Sequence, residues 1–130
     1  LCFIASPAFA IKLGVPADCE VGKTCFIQNY VDVQKGPEYR DYRCNHMAYD
    51  EHKGVDFRLP DLATMEKGID VLAASDGTVR AIRNDMPDEK ITPETKDKVA
   101  NRECGNGLAI VHEDGWETQY CHMKQGSVIV

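Results

Sequence analysis

The sequence predicts a mainly β protein made of antiparallel sheets with hairpins. Apolar and polar residues alternate wherever the chain shows a clear hydrophobic period, which is typical of strands with one buried face. The strongest turn signals are Asp76-Gly77 and Asp114-Gly115, dipeptides that often close hairpins. A chain of 130 residues has room for one modest hydrophobic core, so we expect one globular domain.

Each Asp-Gly pair predicts one hairpin. The first is expected to join a strand over residues 71–74 to a return strand over 78–82, and the second to join 108–112 to 116–122. Residues two apart share one face of a strand. The side chains expected to point the same way in the last strand are therefore those of Trp116, Thr118, Tyr120 and His122.

Between the two predicted hairpins lies a charged segment, residues 84–103, which contains Pro87 and Pro93. It shows almost no apolar periodicity, and prolines interrupt strands and helices alike. We therefore expect an exposed loop with one helical turn near residues 93–99.

The first ten residues are uncharged and end in Ala8-Phe9-Ala10. Small residues at these positions are what signal peptidase requires, so the segment is interpreted as the tail of a secretory signal cleaved near Ala10. The alternative is a buried N-terminal strand. The apolar run is too short for a membrane span, which needs about 20 residues, and stable membrane insertion is not expected. The mature protein would then be periplasmic or secreted.

Cysteine content agrees with export. After Cys2 the chain still has five cysteines, a high density for a small domain, and they show no Cys-x-x-Cys repeat of the kind that binds zinc: Cys19, Cys25, Cys44, Cys104 and Cys121. Cys19–Cys25 and Cys104–Cys121 are the preferred disulfides, with Cys44 left over. Spacing alone leaves other connectivities open.

The net charge of −6 argues against a nucleic-acid partner. Such binding draws most of its affinity from clustered Lys and Arg side chains on the phosphate backbone. No basic cluster of this kind occurs in the sequence, so binding of DNA or RNA is not expected.

Two segments share a His-x-x-x-Asp spacing, His46 to Asp50 and His52 to Asp56. With 21 acidic residues in the chain, such a spacing arises easily by chance. Two ligands of one metal ion must both lie about 2 Å from it, whereas residues four apart in a straight strand are about 13 Å apart. Gly54 allows a bend within the second segment, so His52 and Asp56 are preferred as ligands, on a loop that leads into a strand.

The other histidines have plainer interpretations. His112 precedes the second Asp-Gly turn and is expected to be a surface residue at the end of a strand. His46 is expected to be a loop residue. His122 by itself is most simply a hairpin residue beside Trp116.

Four elements in order make the sequence resemble the LytM and lysostaphin zinc endopeptidases, the twenty-third metallopeptidase family. They are His52-Lys-Gly-Val-Asp56-Phe57, Val71-Leu-Ala-Ala-Ser-Asp-Gly-Thr-Val79, Gly107-Leu-Ala-Ile-Val-His112, and Gly115-Trp-Glu-Thr-Gln-Tyr-Cys-His122-Met123. The resemblance covers residues 52–130. An ordered set of motifs is far more specific than one spacing.

This resemblance implies a LytM-like barrel-sandwich hybrid with a Zn²⁺ ion bound by His52 and Asp56. It makes His122, in the Tyr-x-His element, an unligated catalytic histidine that stabilises the transition state. The family's third ligand and second catalytic histidine lie in a His-x-His element further along than Val130. The fold is therefore expected to be incomplete at the C-terminus, and these 130 residues alone to bind zinc weakly or not at all and not to hydrolyse peptide.

We therefore expect three parts: a signal-peptide remnant (1–10), an N-terminal extension with disulfides (11–45) and, as the resemblance implies, part of a peptidase domain (46–130). The substrate would be the peptide cross-links of bacterial peptidoglycan. The alternative is a catalytically inactive module of the same fold that binds or regulates at the cell envelope. A third possibility is a disulfide-stabilised interaction domain without a metal.

Overall fold

In a computed structural model, the described residues are 10–130, and they form a mainly β fold with two antiparallel sheets and little helix. The predicted fold class is thus confirmed, while the predicted signal tail lies outside the described residues except for Ala10. The chain divides into two compact units, Ala17–Asp70 and Val71–Val130, the latter joined by the segment that ends at Pro16. The functional division at residue 45 stays a prediction.

The unit Ala17–Asp70 contains a two-stranded antiparallel sheet. Strand β1 (Phe26–Asn29) pairs with β2 (Asp56–Arg58). Asp56 is the first residue of β2, as expected for a loop that leads into a strand. The Cys19–Cys25 disulfide immediately precedes β1, and Cys25 is fully buried.

A short helix in the same unit was not predicted. Helix α1 (Leu62–Lys67) begins after Asp61, whose carboxylate accepts a hydrogen bond from the Thr64 backbone N–H at 2.7 Å. It ends at Gly68, which has φ 82°. An aspartate N-cap and a glycine C-cap are sequence signals for a helix, but this one is only six residues long and has no buried side chain, so it carries no apolar periodicity.

The second unit contains a three-stranded antiparallel sheet in the order β3 (Thr78–Arg83), β4 (Asn106–Val111), β5 (Glu117–Met123). Strands β4 and β5 form the second predicted hairpin, closed by a 3-10 turn at Glu113–Gly115.

The exposed segment before β4 includes a 3-10 helix at Lys96–Val99, which confirms the predicted helical turn. The Cys104–Cys121 disulfide forms here, so both preferred pairings are confirmed and Cys44 is free and exposed.

The first predicted hairpin is wrong. Strand β3 exists, but it pairs with β4, and residues 71–74 form no strand. Their backbone makes other hydrogen bonds: the Leu72 N–H donates to the Pro16 carbonyl at 3.1 Å and the Ala74 carbonyl accepts from the Gly14 N–H at 2.7 Å. Because these backbone groups of Leu72 and Ala74 already have hydrogen-bond partners, residues 71–74 do not pair with β3. The Asp76-Gly77 turn therefore leads into the sheet without closing a hairpin.

A bulge near the end of β5 changes the direction of His122. Asn106 pairs with Met123 and Leu108 pairs with Tyr120, so two steps along β4 match three along β5. His122 has φ 59°, in the left-handed region. Gly107 is required opposite this bulge, because a Cβ atom there would overlap the Tyr120 carbonyl. The expected alternation therefore ends before His122.

Candidate metal site

His52 and Asp56 come together as the sequence predicts. In a turn before the pair, the His52 backbone N–H donates a hydrogen bond to the Tyr49 carbonyl at 3.0 Å. The backbone then bends at Gly54, and β2 begins at Asp56. The result is a distance of 3.3 Å between His52 Nε2 and Asp56 Oδ1. One nitrogen and one carboxylate oxygen thus face the same small volume.

The His52 ring is oriented by Tyr30, the residue that follows β1. Its Nδ1 lies 2.8 Å from the Tyr30 carbonyl oxygen, and its side chain is 8% exposed. A carbonyl can only accept a hydrogen bond, so Nδ1 carries the proton and Nε2 is the nitrogen presented to Asp56. The His52 carbonyl in turn accepts from the Asp32 N–H at 2.8 Å, which fixes the backbone beneath the ring.

Asp56 is oriented in the same way. The Asn29 side-chain amide donates to Asp56 Oδ2 at 2.9 Å. This hydrogen bond occupies one carboxylate oxygen and leaves Oδ1 directed at His52. The Asp56 side chain remains 40% exposed, so a ligand can reach the pair from solvent.

The space between His52 Nε2 and Asp56 Oδ1 favours a cation. With Nδ1 protonated, a neutral His52 ring would direct an Nε2 lone pair at a carboxylate, and two acceptors at this distance repel. Either a second proton on the ring or a metal ion removes the repulsion. The pair is therefore suited to hold positive charge between its two atoms.

Tyr49 covers one side of the pair and was not singled out by the sequence. Its ring stacks on His52 with centroids 4.2 Å apart and an interplanar angle of 27°. Burial raises the pKa of the Tyr49 hydroxyl, and the charge of Asp56 raises it further. An open cavity of about 530 Å³, lined by residues 31–37 and 50–53 without Val33, lies beside His52. His52 thus stands at the edge of a space open to solvent.

The other His-x-x-x-Asp segment has a different structure. His46 and Asp50 are both exposed, and the His46 ring packs edge-on against Tyr39 with centroids 5.7 Å apart. Among residues 10–130, no ion pair joins His46 to Asp50. The expectation that His46 is a loop residue is confirmed.

His122 belongs to the other compact unit. It is exposed, its Nε2 lies 2.8 Å from the Glu103 carbonyl oxygen, and its backbone N–H donates to the Cys104 carbonyl at 2.8 Å. Since the Glu103 carbonyl only accepts, Nε2 carries a proton. This leaves Nδ1 as the ring nitrogen that is available to a ligand. The catalytic role of His122 stays a prediction.

The expectation for His112 is wrong, because this residue is 5% exposed and not on the surface. Its Nδ1 lies 2.7 Å from the Asp76 carbonyl oxygen and its Nε2 lies 2.8 Å from Thr118 Oγ1. The Thr118 hydroxyl in turn donates to the Tyr120 hydroxyl at 3.0 Å. The Tyr120 hydroxyl also accepts a hydrogen bond from the Ala74 backbone N–H at 2.7 Å. His112 is therefore a structural residue that links the start of β3 to β5.

The described residues contain no group of three or more His, Cys, Asp or Glu side chains able to hold a metal ion. His52 and Asp56 are thus a two-ligand pair in the part of the chain that the structure covers. Comparison with protein-family models, curated proteins and solved structures found no match. Any function of this chain must therefore be inferred from the geometry of this pair and from the sequence motifs.

Proposed function

We propose that this protein is a zinc metalloendopeptidase that hydrolyses peptide cross-links of bacterial peptidoglycan, with His52 and Asp56 as zinc ligands and His122 as a catalytic histidine. The observation that carries the proposal is the convergence of His52 Nε2 and Asp56 Oδ1 at 3.3 Å. Each of the two side chains is oriented by its own hydrogen bond. The ordered motifs that resemble LytM-type endopeptidases supply the reaction class.

The separation of the two atoms suits a zinc ion. Two ligand atoms at about 2.1 Å from a tetrahedral ion are about 3.4 Å apart, close to the 3.3 Å between His52 Nε2 and Asp56 Oδ1. Histidine nitrogen and carboxylate oxygen are common ligands of catalytic zinc, and a second histidine would complete the usual set of three. The Tyr30 carbonyl and the Asn29 amide are the outer partners that such ligands generally have.

When bound, zinc would polarise the scissile carbonyl and lower the pKa of a coordinated water toward about 7. His52, which lines an open cavity, and Asp56 would hold the ion. His122 acts through Nδ1, because its Nε2 proton is donated to the Glu103 carbonyl. That nitrogen can take up a proton during attack on the peptide and then stabilise negative charge on the carbonyl oxygen.

Two disulfides fit an extracytoplasmic protein. No helix among residues 10–130 is long and apolar enough to cross a membrane. We propose the periplasm as the location and the D-alanyl to diaminopimelate cross-link as the bond cut. Glycine cross-bridges are the alternative substrate, and hydrolysis of the two kinds of purified peptidoglycan distinguishes them.

The decisive experiment follows zinc by the ¹⁵N resonances of the histidine rings, a method that also detects weak binding. Zinc should shift the His52 Nε2 resonance of the wild type, and His52→Ala should abolish the specific binding as measured by competition with a chromogenic chelator. The matched control is His46→Ala, which removes the histidine of the other His-x-x-x-Asp segment and should leave binding unchanged. Equal effects of the two substitutions, or no zinc-dependent shift at His52, would reject the proposed site.

Turnover is measured on the natural full-length protein by release of soluble fragments from dye-labelled peptidoglycan. His122→Ala should retain zinc and lose hydrolysis, because this histidine acts on protons and charge without binding the ion. Normal rates in His122→Ala would contradict its assigned role.

A second candidate is an inactive module of the same fold. One observation favours it: the Glu103 carbonyl already occupies Nε2 of His122. Zinc binding without any hydrolysis by the full-length protein would support this candidate.

A further inference from the structure

One short segment orients both members of the His52–Asp56 pair. Asn29 lies 27 positions before Asp56, and Tyr30 lies 22 positions before His52. They are neighbours at the end of β1, in the region that the sequence assigned to an extension outside the peptidase domain. The geometry of the pair therefore depends on two parts of the chain that are far apart in the sequence.

The pairing of β1 with β2 places Asn29 at Asp56. In the register, Ile27 is opposite Phe57 and Asn29 is opposite Asp56, so two steps along β1 match one along β2. The irregularity brings the Asn29 side chain to the carboxylate. In a regular register, Gln28 would face Asp56 in its place.

The Asn29 amide selects which oxygen of Asp56 is available. Its NH₂ group donates to Oδ2, and a carboxylate held at one oxygen presents the other in a defined direction. Oδ1 then faces His52 Nε2, whose own direction is set by the Tyr30 carbonyl. Each ligand atom is thus directed by a group that does not itself touch the space between them.

We propose that Asn29 is the positioning residue of the metal site, acting on the ion only through Asp56. This role rests on the proposed function, because it assumes a divalent ion between His52 and Asp56. Loss of an outer partner typically weakens metal binding by about 10 to 100-fold. Asn29→Ala should therefore lower zinc affinity by about that factor while the ligands themselves remain.

The test is a zinc titration of the natural full-length protein, followed by the His52 ring ¹⁵N resonances. Asn29→Ala and Asn29→Leu are compared with the matched control Asn45→Ala, an exposed asparagine of the same unit. Asn29→Leu keeps about the size of the side chain but has no hydrogen-bond donor, so its loss should match that of Asn29→Ala. Asn29→Ser retains a short donor and should recover part of the affinity.

A second readout needs no metal. The ring ¹⁵N shifts and couplings report whether Nδ1 of His52 carries a proton, and this proton should be present in the wild type and in Asn29→Ala, because its acceptor, the Tyr30 carbonyl, belongs to the backbone. A weakened affinity with the His52 proton unchanged supports positioning through Asp56. Should Asn29→Ala fail to fold, the comparison of Asn29→Ser with Asn29→Leu tests the same role: a higher affinity in Asn29→Ser supports it, and equal affinities oppose it.

Affinities of Asn29→Ala and Asn29→Leu within about twofold of the Asn45→Ala control would overturn the positioning role, since an outer partner is typically worth about 10 to 100-fold. So would loss of the Nδ1 proton in Asn29→Ala, which would mean that the whole site had collapsed. Failure of the proposed function is distinguishable, because then His52→Ala itself leaves zinc binding unchanged.

Discussion

Two segments with the same spacing differ completely in structure. His46 and Asp50 are exposed and form no ion pair with each other in the described part of the chain, whereas His52 and Asp56 bring a nitrogen and an oxygen to 3.3 Å. The two segments are separated by only one residue in the sequence. Spacing by itself therefore carries little information about a metal site, and the difference arises from what each segment pairs with.

Both segments are held by an aspartate that precedes them. Asp41 accepts hydrogen bonds from the backbone N–H groups of Arg43, Asn45 and Met47, and Asp32 accepts from those of Gln34, Arg40 and Glu51. Fixing the backbone is thus common to the two segments. Only the second continues into a strand that pairs with β1, and this pairing supplies Asn29 and the Tyr30 carbonyl to the ligands.

The largest expected difference concerns the acidic members of the two segments. Asp56→Asn should weaken zinc binding by more than about 100-fold, because loss of a ligand exceeds the 10 to 100-fold cost of losing an outer partner. Asp50→Asn should change it by less than about twofold. Competition with a chromogenic chelator measures both constants, and similar values for the two variants would remove the distinction between the segments.

Removal of the Cys19–Cys25 disulfide should destabilise the unit Ala17–Asp70, in which this bond directly precedes β1. Closing a loop of this length is worth about 2 kcal/mol through the entropy of the unfolded chain, so replacing both residues by Ser should lower the free energy of unfolding by about that amount. Cys44→Ser, in the stretch before His46, is the matched control and should have no effect. Urea denaturation measures the difference, and an equal loss in the control would contradict the assignment.

Protonation in acid should weaken the hydrogen bonds that the Asp32 and Asp41 carboxylates accept from backbone N–H groups. Donation from the Arg40 and Gln34 N–H groups lowers the pKa of Asp32. The pKa of Asp41 is also lowered: burial, the largest influence, acts to raise it, but the donors at Arg43, Asn45 and Met47 together outweigh burial. A lowered folded-state pKa means that stability is fully present above the ordinary value of 3.8 and is lost as pH falls through the folded value.

The Tm should therefore change little from these two groups between about pH 7 and pH 5 and fall below about pH 4. Asp32→Asn and Asp41→Asn should each reduce this acid-dependent loss, and calorimetry across this range measures it. An unchanged acid dependence in both variants would show that these carboxylates do not hold the segments.

The smallest effect is expected at Gly54. The sequence pattern suggested that glycine permits the bend between His52 and Asp56, but an added Cβ would meet His52 Nε2 only at an ordinary contact distance of 3.8 Å. Gly54→Ala should therefore leave stability unchanged or raise it by about 0.4–1 kcal/mol through the unfolded state. Thermal unfolding provides the measurement, and a marked loss would show that the bend does require glycine.

The sequence predicted those features whose partners are close along the chain. The β4–β5 hairpin, the 3-10 helix at Lys96–Val99, both disulfides and the approach of His52 to Asp56 all depend on local spacing or turn chemistry. The partner of β3 was missed because the backbone of residues 71–74 bonds to residues 14 and 16. No local pattern signals that choice.

The same limit explains the missed functional neighbours. Asn29 has no sequence signal that links it to Asp56, and a backbone carbonyl such as that of Tyr30 is invisible to residue patterns. His112 was placed on the surface because a turn follows it, but a histidine at the end of the apolar run Leu108–Val111 also suits a buried position with both ring nitrogens bonded. Only tertiary structure decides between such alternatives.

The order of the cysteines has a consequence for biogenesis. Along residues 10–130, each disulfide joins two cysteines that are consecutive in the chain, and Cys44 stands between the two pairs. Among the cysteines of residues 10–130, a thiol oxidase that linked them strictly in order of emergence would make the first bond correctly and then join Cys44 to Cys104. Correct maturation thus requires Cys44 to be bypassed, or a disulfide isomerase to exchange it for Cys121.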